Sequence, residues 1–179
     1  MLSFLRPIAL RAIGRSEQRL GARLDYVRDI AETDMGLLMR YNRLFGFLDP
    51  NRHAPAQAYH AARLRGALAA DCGTCVEIEI NLARAAGIDD DTIDAVLAGT
   101  LSVLDAPLAA VVTLADAVVR DRADDPEARA RIEEAYGHSA MVELSYAMNG
   151  AALLPGIKRS LGYATACDVA VMRKTIGRV

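Results

Sequence analysis

Apolar residues in this chain recur at steps of three and four along its whole length, and nowhere alternate as a half-buried strand requires. Leu20, Leu24, Val27 and Ile30 predict a helix over about 16–31. Thr33 or Asp34 caps a second, with the stripe Leu37, Tyr41, Leu44, Phe45 and Leu48, ended by Asp49-Pro50-Asn51. Pro55 opens a third that runs to about Ala70. Asp71 and Gly73 then supply a break, and the next helix stops at Gly87. Asp89-Asp90-Asp91 caps a fifth carrying Ile93, Val96, Leu97, Leu101 and Leu104. Asp105 and Pro107 start a sixth that extends to Val119, and Arg120–Asp125 is a charged loop. Pro126 begins a seventh ending at Gly137. Ser139 caps an eighth that stops at Pro155-Gly156. A last segment from Lys158 to about Arg173 is interrupted by Gly162. The fold expected is all-α, one domain of about eight helices.

Composition agrees. Apolar residues are 53% of the 179, rich in Ala and Leu, and aromatics only 5%. Such a chain suits helix-on-helix packing around one sizeable core. A net charge of −2 weighs against a nucleic-acid partner, which calls for a concentrated basic surface. The longest apolar stretch, about Ile93 to Val119, carries Asp94, Asp105 and Asp116 and is broken by Pro107. A membrane span tolerates neither feature easily. The N-terminus lacks the pattern of an export signal, so a cytoplasmic location is expected. Residues 1–30 read as a basic extension packing on the helical domain of 31–179. Its stripe of Arg6, Arg11, Arg15, Arg19 and Arg23 is either a solvated helix face or a contact for an anionic surface.

The chemistry concentrates at Cys72-Gly-Thr-Cys75. Two thiols so spaced can close a small redox disulfide, and a Cys at a helix start has its thiolate favoured by unpaired N–H groups. Three Cys in all is an odd number, so this is no closed disulfide framework, and a reducing compartment fits. Cys72, Cys75, Glu79, Leu82 and Ala86 share one helix face, whereas Glu77 lies about 200° round from Glu79 and should be solvated. Glu79 is therefore drawn toward apolar surroundings and needs a partner. His60 can supply it only if the chain reverses near Ala70–Gly73; on one continuous helix the two lie roughly 28 Å apart. With that contact made, a His–Glu pair can take a thiol proton and pass it to a leaving alkoxide or thiolate.

The stretch from Ala61-Ala-Arg-Leu through the Cys pair, then Leu82-Ala-Arg-Ala-Ala-Gly-Ile-Asp and Ile93-Asp-Ala-Val-Leu, resembles the carboxymuconolactone decarboxylase superfamily in its alkyl hydroperoxidase D-like branch. The resemblance covers about residues 54–120. It implies an all-helical, homo-oligomeric bundle (trimer, hexamer or dimer) with peroxidase-type oxidoreductase activity. No cofactor is implied. The substrate would be a hydroperoxide or a disulfide, and the reductant a protein or a dithiol. By position, Cys75 matches the thiol that meets peroxide and Cys72 the more exposed partner. The family's Glu falls on His60 and its His on Glu79, so the two relay residues are exchanged. The group beside Cys75 is then a carboxylate, with an ordinary pKa of about 4.3 rather than 6.5.

Other readings of the same residues stay open. Cys72, Cys75, His60 and Glu79 form a conceivable zinc set. The two Cys can also be small buried core residues in a non-catalytic helical oligomer or accessory subunit. Cys167 reads as a packing residue in the C-terminal segment, and His53 and His138 as solvated caps. Tyr59 and Asn81 lie close to the relay in sequence without a clear place on its face.

Overall fold

Helix α4 (Ala56–Ala69) runs through the middle of the molecule, and every residue from Ala61 to Ala67 is buried. The structure is a computed structural model that describes residues 5–48 and 52–176. Among these there are ten α-helices and no strand. The others are α1 (Arg6–Leu20), α2 (Asp25–Thr33), α3 (Met35–Arg43), α5 (Gly73–Ala85), α6 (Asp90–Ala98), α7 (Ala106–Ala115), α8 (Pro126–Tyr136), α9 (His138–Ser160) and α10 (Val169–Ile176). Short 3-10 turns follow α3 and α6, and a π-helical turn at Asp116–Arg120 continues α7.

α4 packs most extensively along α9. Their approach is close enough that a Cβ on Gly66 would lie 2.1 Å from the Met148 carbonyl oxygen, so no larger residue fits there. Two arginines on this buried helix are each satisfied. Arg65 donates to both Asp116 oxygens and to the Val96 and Leu97 carbonyls, which closes the end of α6. Arg63 does equivalent work on the other side, described below. A main core of α4–α9 residues, with Leu64, Ile93, Leu114, Ile132 and Leu144 fully buried, fills the space around α4. α1, α2 and α3 share a second core of Ile13, Val27, Leu38 and Tyr41, which packs on Ile78, Leu154 and Ile157. The N-terminal helices thus share their core with α3.

Caps at Asp34, Asp89, Asp105 and Asp125 fall where side-chain acceptors precede helical runs. Four expectations need correction. The helix expected over 16–31 is two, because Gly21 turns left-handed (φ 67°) and Asn81 caps the Leu20 carbonyl at 2.8 Å. The fifth helix ends at left-handed Gly99, so Leu101 and Leu104 lie beyond it. The eighth begins at His138 and runs through Pro155 to Ser160. Proline removes one helical hydrogen bond there, but Pro155 and Lys158 are buried and Leu154 and Ile157 pack on the N-terminal core. Last, the segment from Lys158 to about Arg173, expected as a helix interrupted by Gly162, does break at that left-handed residue (φ 81°), but it begins inside α9 and crosses an extended strap before α10. The break expected at Asp49–Asn51 lies outside the described residues. Among the described residues, no helix is long and apolar enough to cross a membrane.

Candidate functional site

The chain reverses between α4 and α5 as the residue types require. Asp71 takes a left-handed conformation (φ 49°), which Asp tolerates better than most side chains, and Cys72 becomes the N-cap of α5. Glu77 is exposed and Glu79 buried, as the helix face predicts. Gly73 serves a different purpose from the turn. A Cβ there would sit 2.7 Å from the Ala166 carbonyl oxygen, because the strap of residues 163–168 crosses the start of α5. Gly73 N–H donates to the Thr165 carbonyl at 3.1 Å, and Cys167 N–H donates to Asp71 Oδ1 at 3.0 Å.

Under this strap Cys72 is fully buried, whereas Cys75 is half-buried. The order of exposure is thus the reverse of the one the family resemblance implies, because the strap covers the N-cap. Both are free thiols, and the Cys75 thiol hydrogen-bonds to the Cys72 sulfur. That bond is the main reason the Cys72 pKa falls to about 6, against the opposing effect of burial. The backbone N–H of Cys75, the charge of Lys158 and the backbone N–H of Thr165 add to it. Cys75 is pushed the other way, first by its bond to Cys72, then by burial and by the Cys72 charge. The two shifts are opposed: the surroundings favour the thiolate at Cys72 and the thiol at Cys75.

Lys158 is only 5% exposed, and among the described residues it pairs with no carboxylate. Its ammonium lies 5.9 Å from the Tyr26 ring centre, and its charge favours the thiolate at both sulfurs. Tyr26 and Tyr41 join hydroxyl to hydroxyl at 2.5 Å, edge to face. Burial raises both, Tyr26 to about 12, and the charge of Cys75 raises each further. These tyrosines line a cavity of about 540 Å³ between α1–α3 and the main core, which reaches α5 at Ile78, Glu79 and Leu82.

The expected His60–Glu79 contact is replaced by another. Arg63, one helical turn beyond His60, donates to Glu79 Oε2 at 2.7 Å and to Oε1 at 2.8 Å. A buried carboxylate is best satisfied by a fixed fork of donors, and the guanidinium provides it. Arg63 also bonds the Leu48 carbonyl and the Tyr59 hydroxyl. His60 is half-buried with its edge against Tyr59, and its Nδ1 is buried without a hydrogen-bond partner. Burial, then Arg63, lower its pKa, with Glu79 opposing.

No cluster of three or more His, Cys, Asp or Glu suited to a metal ion occurs among the described residues, so the four-ligand zinc set is not assembled. His53 contributes its backbone N–H, with Arg52 and Ala54, to the Glu143 carboxylate, and His138 pairs with Glu133. No protein family, curated protein or solved structure matches this chain. Its functional reading therefore rests on the site's own chemistry.

Sequence reasoning missed Arg63, Lys158 and the strap. Arg63 was legible as an inward charge three residues after His60. Lys158 was hidden behind Pro155-Gly156, which reads as a helix stop.

Proposed function

We propose that this protein is a dithiol oxidoreductase in which Cys75 and Cys72 reduce a hydroperoxide or a disulfide. The observation that carries the reading is the start of α5, where two free cysteines lie one turn apart, Cys72 buried as the N-cap and Cys75 half-buried. The charge of Lys158, a residue only 5% exposed, favours the thiolate at both.

Cys75, the accessible sulfur, meets substrate. Passage of its proton to Cys72 moves the negative charge onto Cys75. The Cys75 thiolate attacks a peroxide oxygen, the O–O bond breaks, and the alkoxide takes the proton from Cys72 to leave as alcohol. Cys72, again a thiolate, attacks the Cys75 sulfenic acid, and hydroxide leaves as water with a proton from solvent. The balance is one hydroperoxide and two thiols giving an alcohol, water and a disulfide. A low-molecular dithiol or a protein dithiol restores the pair by exchange. Such a pair belongs in a reducing compartment such as the cytoplasm. The bond to Cys72 and burial favour the protonated form of Cys75 at rest; the charge of Glu79, fixed by Arg63, adds to them, and Glu79 is a positioning residue.

The test follows consumption of an organic hydroperoxide with dithiothreitol or dihydrolipoamide as reductant. Wild type turns over, while Cys75→Ser and Cys72→Ser do not. Equal rates for all three would overturn the reading.

A further inference from the structure

A third cysteine, Cys167, is tied by its backbone to the start of α5. The strap is tied to the segment around Cys72 from both sides: Thr165 accepts from Gly73 N–H, and Cys167 N–H donates to Asp71 Oδ1 at 3.0 Å. Between these bonds the Thr165 backbone is among the groups that favour the Cys72 thiolate. Thr74 and Thr165 hydroxyls meet at 3.2 Å, which adds a third tie. Met172 on α10 packs against both ends of the arrangement. Its Sδ accepts from the Cys167 thiol at 3.8 Å, and its terminal methyl would lie 3.3 Å from a Cβ on Gly73. Residues on either side of Cys72 are thus fixed to residues on either side of Ala166, which brings Cys167 next to Cys72. Cys167 is half-buried between exposed neighbours, and the Cys72 charge is among the causes that raise its pKa, after burial and Asp71.

We propose that Cys167 is a third redox thiol, which takes over the disulfide from the Cys72–Cys75 pair and fastens the strap across α5. This rests on the dithiol reading above. Cys167 gives its proton to solvent, and its thiolate attacks the Cys72 sulfur of the oxidised pair. The Cys72–Cys167 bond forms as the Cys72–Cys75 bond breaks, and Cys75 leaves as a thiolate and regains a proton. No electron enters or leaves the protein. The product has Cys75 free again and Cys72 locked beneath a covalently closed strap, out of reach of an incoming reductant. The strap is thereby a redox latch on the site.

The experiment maps disulfides by mass spectrometry of non-reduced peptides. Reduced Cys75→Ser is treated with oxidised glutathione, and wild type carrying the isolated Cys72–Cys75 disulfide is shifted from acid to mildly alkaline pH. The expected results are a Cys72–Cys167 bond in both, independent of protein concentration. In Cys75→Ser it should form at least about tenfold faster than in the same protein unfolded in urea, as held geometry requires. Cys167→Ser should show none. If wild type forms the Cys72–Cys75 bond but neither protein yields Cys72–Cys167, or if Cys75→Ser gives only glutathione adducts and dimers, the latch is overturned and the dithiol reading stands. If wild type forms no Cys72–Cys75 bond at all, both fall.

Discussion

Arg63 holds both carboxylate oxygens of Glu79, at 2.7 and 2.8 Å, across the hairpin of α4 and α5. Both side chains are nearly excluded from water, with 10% and 7% exposure. Removing one partner leaves the other charge buried and uncompensated. Arg63→Met should therefore cost on the order of 3–5 kcal/mol, read by urea unfolding. The double variant Arg63→Met/Glu79→Leu should recover much of that loss.

The same pairing alters what His60 can do. A relay in which His60 carries the thiol proton requires a loss of roughly 10²–10⁴ in turnover on its removal. With Glu79 fixed by Arg63 and no His60–Glu79 bond, His60→Ala should keep turnover within about tenfold of wild type. Steady-state peroxide consumption at neutral pH decides between the two.

Stability should rise with pH while the protein is reduced. Cys72 ionises near pH 6 when folded and near 8.5 in an unfolded chain. The fold favours the anion, so this contribution is complete above about 8.5 and is lost as pH falls through 6. His60, whose pKa is lowered by burial, adds a loss of the same sign only below its unfolded value of about 6.5. Between pH 6.5 and about 7.5 the rise belongs to Cys72; nearer 8.5 it is offset by Cys75 and Cys167, whose raised pKa values cost stability as their unfolded thiols ionise. Urea unfolding across that window should show it in wild type and not in Cys72→Ala. Lys158→Met should move the Cys72 midpoint upward, as followed by ultraviolet thiolate absorbance.

Gly73 keeps the strap in place by being small. In Gly73→Ala the new Cβ meets the Ala166 carbonyl oxygen at 2.7 Å, and backbone must shift. The strap should lift from α5 and uncover Cys72, which is fully buried in the native protein. Alkylation of Cys72, timed by mass spectrometry, should speed up by more than about tenfold, since access joins thiolate character in setting the rate.

Much of this architecture is legible in the sequence because it depends on local signals. The Asp caps, the Gly87 stop and the inward face of Cys72, Cys75 and Glu79 follow from short-range periodicity. The hairpin is legible from Asp71 and Gly73, of which only Asp71 takes the left-handed turn conformation. What escaped depends on tertiary burial. Pro155 reads as a stop, yet packing of Leu154 and Ile157 carries α9 past it, which buries Lys158 where its charge is felt by both thiols. The partner of Glu79 escaped for a related reason. His60 and Arg63 are one turn apart on the same helix, and only the rotation of α4 against α5 selects between them. Cys167, 92 residues beyond Cys75, reaches the site through a strap with no periodic pattern.

The most direct measurement is disulfide mapping after a single equivalent of an organic hydroperoxide is added to the fully reduced protein and the reaction is quenched at once in acid. Loss of two thiols, release of one equivalent of alcohol and a Cys72–Cys75 bond are predicted. Recovery of Cys72 and Cys75 as free thiols, with the hydroperoxide intact, would contradict a redox role for the pair.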